Sequence, residues 1–187
     1  MALRDPIPKK LTYEDYLLFP EDGCRHELID GEHFVTPAPS RRHQVVSWRL
    51  SRWIGNFLEE NPVGEALAAP FDVVLTKEDV VQPDLVFVSK ERSGIWTDKN
   101  AQGAPDLVIE ILSEGTRDRD ETRKLRIYTQ AGVREYWIID PETETARIYR
   151  REGRRLALVQ ELSAVRGDIL ESPLLPGLRI ILAKVFP

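Results

Sequence analysis

One acidic side chain interrupts the most apolar stretch of the sequence. Glu110 lies within residues 107–112, where all the remaining residues are leucine, isoleucine or valine. Such a run predicts a central strand that is buried on both faces. An unpaired ionised carboxylate costs several kcal/mol there. Glu110 therefore needs a metal cation, a buried arginine or lysine, or a raised pKa that keeps it protonated, and a structural ion pair satisfies this need as well as a metal site does.

A second carboxylate stands at the entrance of another apolar strand. Asp84 follows Pro83 and begins the strand predicted over residues 84–88, and Asp106 follows Pro105 in the same way. Pro-Asp is a common turn dipeptide, so each pair alone is consistent with a turn. Carboxylates that converge from two strands repel one another unless a hard divalent cation lies between them. Mg²⁺ prefers such oxygen ligands, with water and substrate phosphate completing its shell.

Lys124 supplies a positive charge one helix beyond the strand of Glu110. Asp120 and Lys124 are four residues apart on the helix predicted over residues 118–131, a spacing that is also typical of a surface ion pair. Phosphodiester cleavage needs a positive group near the attacking water or the phosphorus, besides the metal. Lys124 is a candidate for that group.

Histidine and arginine side chains follow a second predicted helix. His43 lies one turn into this helix beside Arg42, and Arg49 and Arg52 continue a basic stripe along it. A histidine here is typical of a helix-start contact or of a substrate contact. The arginines fit either phosphate binding or a solvated helix face.

The elements that must position these residues form a mixed pattern. Helices are predicted over residues 13–19, with Thr12 as the cap, over 40–60, and over 118–131, ending at Gly132. Asp30-Gly31 predicts a hairpin between strands 26–29 and 33–36. The remaining predicted strands are 71–75, 84–88, 106–112, 135–140, 147–149, 156–160 and 178–182, with a hairpin tip at 150–155. A 17-residue connection, 89–105, is long enough to suggest a functional or mobile segment. The order predicts an α/β (α+β) sandwich without βαβ alternation.

Length and composition limit the class of protein. The 187 residues suit one domain, residues 1–187, with one buried core. No run of 18 apolar residues occurs, residues 1–6 lack the apolar stretch of a signal peptide, and Cys24 is the only cysteine, so we expect a cytoplasmic protein without disulfides or membrane spans. The net charge of −5 excludes a simple coating protein of nucleic acid, although a local basic patch remains compatible with an enzyme.

Several segments together resemble a known family. They include Gln82-Pro83-Asp84-Leu85-Val86-Phe87-Val88, Pro105-Asp106-Leu107-Val108-Ile109-Glu110-Ile111-Leu112-Ser113, and Lys124…Tyr128…Gly132-Val133…Glu135-Tyr136-Trp137-Ile138-Ile139-Asp140-Pro141. Glu27-Leu28-Ile29-Asp30-Gly31-Glu32, Pro39-Ser40…His43 and Leu175-Pro176-Gly177-Leu178 also match. As a set they resemble the Uma-type family of restriction-endonuclease-like proteins, within the PD-(D/E)XK superfamily.

This resemblance implies a restriction-endonuclease-like mixed sheet flanked by helices, with additional β-hairpins, and Mg²⁺-dependent phosphodiester hydrolysis. It makes Asp84 the motif aspartate and Glu110 the motif glutamate. The motif lysine belongs at position 112, where this sequence has Leu112, so Lys124 takes that role from the helix. Glu27 matches a position that supplies a further carboxylate.

The resulting hypothesis is a DNA nuclease, with RNA not excluded. Asp84, Glu110 and the backbone carbonyl of Ile111 bind one or two Mg²⁺, or Mn²⁺, and Glu27 completes the metal shell or orients a ligand. The substrate contacts expected from the resemblance and the basic stripe are His43, Arg42, Arg49 and Asp106. A homodimer is expected, since superfamily nucleases cut two strands as dimers. The alternatives are a non-catalytic binding or regulatory module with the same fold, and a metal-dependent hydrolase of another phosphoester.

Overall fold

The computed structural model describes residues 10–187, so residues 1–9, including the stretch inspected for a signal peptide, lie outside it. Its helices are α1 (Tyr13–Tyr16), α2 (Arg41–Glu60) and α3 (Leu125–Ala131), the last preceded by a π-helical turn over Arg119–Lys124. Turns of 3₁₀ helix cover Lys90–Ile95 and Leu182–Lys184. The strands are β1 (Arg25–Ile29), β2 (Glu32–Thr36), β3 (Gly64–Ala68), β4 (Asp72–Val74), β5 (Val80–Val81), β6 (Leu85–Ser89), β7 (Asn100–Gln102), β8 (Leu107–Ile111), β9 (Glu135–Asp140), β10 (Thr145–Glu152), β11 (Arg155–Ser163), β12 (Ile169–Ser172) and β13 (Leu175–Ile181).

Two larger sheets organise these strands. The six-stranded sheet has the order β11-β10-β9-β8-β6-β3, and the five-stranded sheet has the order β2-β1-β5-β4-β7. Strands β12 and β13 form a separate hairpin. In the six-stranded sheet β8 is parallel to β9 and antiparallel to β6, so the sheet is mixed, as the sequence predicts.

The six-stranded sheet has a covered core on each face. On one face, Val46, Leu50 and Ile54 of α2 share a cluster with Ile109 and other apolar residues of the sheet and of the C-terminal hairpin. On the other face, Val108 belongs to a cluster with residues of α3 and of the five-stranded sheet. Side chains alternate along a strand, so Glu110 shares the face of Val108 and points between the two sheets.

Two local signals predict their elements well. Ser40 caps α2, since its side chain accepts a hydrogen bond from the backbone N–H of His43 (3.3 Å), and the apolar spacing places Val46, Leu50 and Ile54 on the buried face. Asp30 and Gly31 have positive φ values of 55° and 74°, as a two-residue hairpin turn requires. Both predictions are confirmed.

Other predictions are corrected by long-range pairing. The connection 89–105 is not an irregular loop, because it contains the 3₁₀ turn Lys90–Ile95 and β7, which pairs in parallel with β4. The predicted strands 106–112 and 135–140 pair in parallel as β8 and β9, so with the helix between them they form a single βαβ unit without βαβ alternation elsewhere in the described chain.

Two boundaries also differ. The hairpin tip shrinks to Gly153-Arg154, because β10 and β11 pair as far as Glu152 and Arg155. Helix α1 ends at Tyr16, since Leu18 and Phe19 donate to carbonyls only three residues back, before Pro20.

Candidate active site

Strand register brings Asp84 and Glu110 together. Leu85 of β6 is paired with Ile109 of β8 in the antiparallel ladder, so the next positions, Asp84 and Glu110, are neighbours across the two strands. Both side chains are almost completely buried. They line a cleft of about 360 Å³ that also contains Glu27, Ile111 and Lys124. The two carboxylates that the sequence singles out therefore meet at one site.

The ammonium of Lys124 lies among three buried carboxylates. Its Nζ is 2.9 Å from Oε1 of Glu27, 2.9 Å from Oε1 of Glu110 and 3.4 Å from Oδ1 of Asp120. The hydroxyl of Tyr128, one turn further along the helix, also donates to Glu110 Oε1 (2.7 Å). Lys124 is thus a buried member of the site, and its pairing with Asp120 is internal to the cleft rather than on the surface.

Asp84 is held by three donors from three different elements. Arg25 donates to its Oδ1 (3.0 Å), and Oδ2 accepts the backbone N–H of Ile111 (2.8 Å) and lies 3.1 Å from Nε2 of His43. In an extended strand the carbonyl of a residue points to the same side as its N–H. The carbonyl of Ile111 is therefore directed toward Asp84 rather than toward β9.

Charge within the cleft is unevenly balanced. Burial, followed by the opposing attraction of Lys124 and then repulsion from Asp120 and Asp84, raises the pKa of Glu110 to about 8. Burial also raises the pKa of Asp120, while Lys124 opposes this shift. Burial alone disfavours the charged form of Lys124, but the surrounding carboxylates outweigh it and raise its pKa, so the ammonium stays protonated. The cluster therefore carries more acidic groups than one lysine neutralises.

The donor chemistry of the cleft fits a hard divalent cation. Oε2 of Glu27 and Oδ1 of Asp120 are buried oxygens without a hydrogen-bond donor. Carboxylate and carbonyl oxygens are the ligands that Mg²⁺ prefers. Within residues 10–187 no three acidic or imidazole groups already enclose a metal position. Lys124 lies between the acids, so binding requires this ammonium or the Arg25 side chain to shift.

The other predicted site residues fall into two groups. His43 and Arg42 line the cleft, and Arg42 lies 3.6 Å from Glu144. Arg49 does not reach it, because its guanidinium donates to the backbone carbonyls of Lys184 and Phe186 and so holds the C-terminal segment against α2.

Asp106 is also separated from the cleft. It lies four residues before Glu110, about 13 Å away along an extended strand. Its carboxylate accepts from the backbone N–H of Ser89 (2.8 Å), from Arg92 (2.9 Å) and from Arg134 (3.1 Å). Asp106 thus closes the ends of the 89–105 connection, and neither Arg49 nor Asp106 lines the cleft.

Four residues that contact the predicted acids or Lys124 were not themselves predicted as site residues. Arg25 and Arg119 bring positive charge to Asp84 and Glu27, and Asp120 and Tyr128 flank Lys124. The sequence contains one signal for them: Asp120, Lys124 and Tyr128 recur every four residues, so they share a helix face with the proposed lysine.

Comparison with known proteins agrees with this architecture. The family model described as "Putative restriction endonuclease" (Uma2) matches residues 13–183. The protein named "Uncharacterized protein slr1290" of Synechocystis sp. is 30% identical over 127 residues, covering 66% of this chain and 64% of that relative. A crystal structure of "a putative nuclease belonging to DUF820" from Anabaena variabilis superposes with a TM-score of 0.77 at 20% identity, over 94% of this chain and 97% of the other.

A restriction-endonuclease-like fold is the class that the sheet and the structural likeness define. The chain belongs to the Uma2 family of restriction-endonuclease-like proteins. Within residues 10–187, no helix is long and apolar enough to cross a membrane.

Proposed function

We propose that this protein is a Mg²⁺-dependent nuclease that hydrolyses phosphodiester bonds, with DNA as its substrate. The observation that carries the proposal is the pairing of Asp84 and Glu110 on adjacent strands, with the ammonium of Lys124 only 2.9 Å from Glu110. Membership of a restriction-endonuclease-like family supports the same activity.

The residues that would hold the ion are Asp84, Glu110 and the carbonyl of Ile111, with Glu27 as a further ligand or as an orienting group. Such an ion supplies Lewis-acid activation of the attacking water and of the scissile phosphate. The water adds its oxygen to phosphorus and loses a proton, and the bond to the leaving oxygen breaks, giving a phosphate monoester and an alcohol.

Lys124 contributes electrostatic stabilisation to this reaction. Its pKa is raised, so it keeps a full positive charge and stabilises the negative charge that develops at phosphorus. Its three acidic neighbours keep it within the cleft, next to the residues that would hold the ion. His43 and Arg42, at the rim of the cleft, are suited to contact the flanking phosphates.

A non-catalytic binding module is the second candidate, and one observation favours it. Asp84 already has Arg25 and His43 as partners, and Glu110 has Lys124, so both carboxylates are stabilised without a metal ion. A module of this kind would bind nucleic acid at the same cleft and leave it intact.

Cleavage assays distinguish the two candidates. Plasmid DNA, single-stranded DNA and RNA are incubated with the protein in Mg²⁺, in Mn²⁺ and in EDTA. We expect DNA cleavage that needs the metal and is lost in Asp84→Ala and Glu110→Ala. Asp106→Asn is the matched control, because Asp106 is an equally buried Pro-Asp aspartate outside the cleft. Cleavage that survives both alanine substitutions would remove the proposal.

We also propose a homodimer, in which each of two copies of this one cleft would act on one strand. Sedimentation in solution tests this proposal, with an expected mass of twice the 21.5 kDa chain. A single species at the chain mass at assay concentrations would refute it.

A further inference from the structure

One aromatic side chain on α2, the helix that also carries His43 of the cleft, lies open to solvent. Trp48 is 60% exposed, although tryptophan is a residue that folded proteins usually cover. The guanidinium of Arg52, one turn further along, lies over its ring at 4.7 Å from the ring centroid. The guanidinium therefore covers one face of the ring, and the pair presents stacked planar groups that carry a positive charge.

The outer face of α2 is basic in an acidic protein. Residues 41–58 contain Arg41, Arg42, Arg49 and Arg52 and no aspartate or glutamate, whereas the whole chain has a net charge of −5. Within residues 10–187, neither Arg41 nor Arg52 forms an ion pair with an acidic side chain. Their charges are free to meet an anionic partner.

A groove joins this face to the cleft. A second cavity of about 280 Å³ shares Arg25, His43 and Asp84 with the active-site cleft and continues along α2 to Gln44 and Ser47. Gln44 lies one helical turn before Trp48, and Arg52 lies one turn after it. A strand leaving Asp84 along this groove would therefore reach Trp48 next.

The dimensions and chemistry fit an unpaired nucleic-acid strand. Arg41 and Arg52 are separated by about 16 Å along the helix, the length of roughly five nucleotides at the 3.4 Å rise of a stacked strand. Proteins that bind single strands combine a positive track for the backbone with aromatic rings on which bases stack. Duplex bases are already stacked on one another and cannot use such a ring.

We propose that Trp48 and Arg52 form a base-stacking platform that binds an unpaired segment of the substrate strand next to the cleft. This inference rests on the proposed function only in taking nucleic acid as the substrate. It adds that the protein prefers single-stranded or locally opened nucleic acid to intact duplex.

Binding of labelled oligonucleotides to the full chain tests the platform. Fluorescence anisotropy with a 12-nucleotide oligo-dT and with a duplex of equal length is measured in EDTA, so that metal-dependent cleavage does not occur. We expect Trp48→Ala to weaken oligo-dT binding by about 5- to 150-fold, Trp48→Phe to retain most of it, and duplex binding to change far less. Arg52→Ala should make binding less sensitive to salt, reducing the magnitude of the negative slope of log affinity against log salt concentration by about 0.7.

Val165→Ala is the matched control, since Val165 is 88% exposed and lies outside α2, and thermal unfolding checks that each variant is folded. Equal binding of oligo-dT by wild type and Trp48→Ala, or no binding by wild type, would overturn the platform. Loss of a dimer in Trp48→Ala with unchanged oligo-dT binding would also overturn it, by showing a contact with a second copy.

The two proposals fail separately. Wild-type protein that binds oligo-dT through Trp48 but cleaves nothing in Mg²⁺ or Mn²⁺ refutes the nuclease and leaves the platform. Wild-type protein that cleaves DNA, but whose oligo-dT affinity is unchanged in Trp48→Ala, refutes the platform and leaves the nuclease.

Discussion

Lys124 controls the charge balance of the buried acidic cluster. It is shared by Glu27, Glu110 and Asp120, all of which are almost completely buried. Removing one partner of a buried ion pair leaves an uncompensated charge, which is far more costly than losing an exposed pair. The buried acidic cluster therefore depends on this ammonium for its stability.

Replacing Lys124 should expose this dependence. We expect Lys124→Met to lower the free energy of unfolding by about 3–5 kcal/mol in EDTA, measured by urea denaturation. Added Mg²⁺ should restore part of this loss, because it returns positive charge to the acids. Lys10→Met, at the exposed pair with Glu78, is the control and should cost far less than Lys124→Met, because an exposed ion pair contributes little to stability. A loss in Lys124→Met no larger than in the control would show that the cluster does not need the ammonium.

At the residue scale, the site residues that could be predicted were those whose burial is visible in the neighbouring sequence. Asp84 and Glu110 stood out because a carboxylate in or beside an apolar run needs compensation. Asp120 did not stand out, because its spacing from Lys124 is equally typical of a surface pair. Its burial depends on packing of the helix against β1, which is distant in sequence.

At the element scale, short turns determine where the carboxylates lie. The Asp30-Gly31 turn fixes the register of β1 against β2 and so the position of Glu27. Gly31 has a φ of +74°, and an added Cβ would lie 2.6 Å from Cβ of Lys10. Only glycine meets both conditions.

A substitution at this turn should therefore be costly. We expect Gly31→Ala to lower the free energy of unfolding by more than about 1 kcal/mol, through strain and the close contact together. Gly153→Ala is the matched control, since Gly153 also has a positive φ in a hairpin turn but has no heavy atom within 4 Å of an added Cβ. Chemical denaturation that ranks Gly153→Ala as the more damaging change would contradict the role of the close contact.

The end of β9 is tied to the helix that carries Lys124. Arg117 donates two hydrogen bonds to the carboxylate of Asp140, at 2.8 and 3.1 Å, and the N–H of Glu142 donates a third. Burial opposes ionisation, but these donors outweigh it and lower the pKa of Asp140 from 3.8 to about 2. Because the pKa of Asp140 is lower in the folded than in the unfolded state, its ionised carboxylate stabilises the fold. This stabilisation is complete above the unfolded-state pKa and is lost as the pH falls toward 2.

The lowered pKa of Asp140 determines how the stability of an Asp140 variant should depend on pH. We expect Asp140→Asn to be less stable than wild type by about 2 kcal/mol at pH 7. The difference should persist to about pH 5 and shrink below about pH 4, as the wild-type carboxylate takes up its proton. Urea denaturation at pH 7, 5 and 3 measures it. A difference that is as large at pH 3 as at pH 7 would refute the charged pairing with Arg117.

At the element scale, a helix or strand could be predicted where the residues that specify it lie close together in the sequence. Helix α2 and the β1–β2 turn were predicted because capping, apolar spacing and turn residues act over a few positions. Strands β3, β5, β7 and β12 have five residues or fewer and were missed. Strands β3 and β7 pair with β6 and β4, which are far along the chain, so no short window contains the signal that makes them strands.

At the scale of the whole molecule, charge is separated by position. The chain is acidic overall, yet its longest helix presents a basic outer face, and the buried acids lie at the floor of the cleft. A polyanionic substrate is repelled by most of such a surface and attracted to one face, which favours binding in one orientation.

Metal binding by this cleft is the central claim, and titration calorimetry with Mg²⁺ and with Mn²⁺ tests it most directly. Wild-type protein should give saturable binding that disappears in Asp84→Ala and in Glu110→Ala and persists in Asp106→Asn. Wild-type protein that binds neither ion, or binding that is unchanged in both alanine variants, would contradict a metal site built from these two strands.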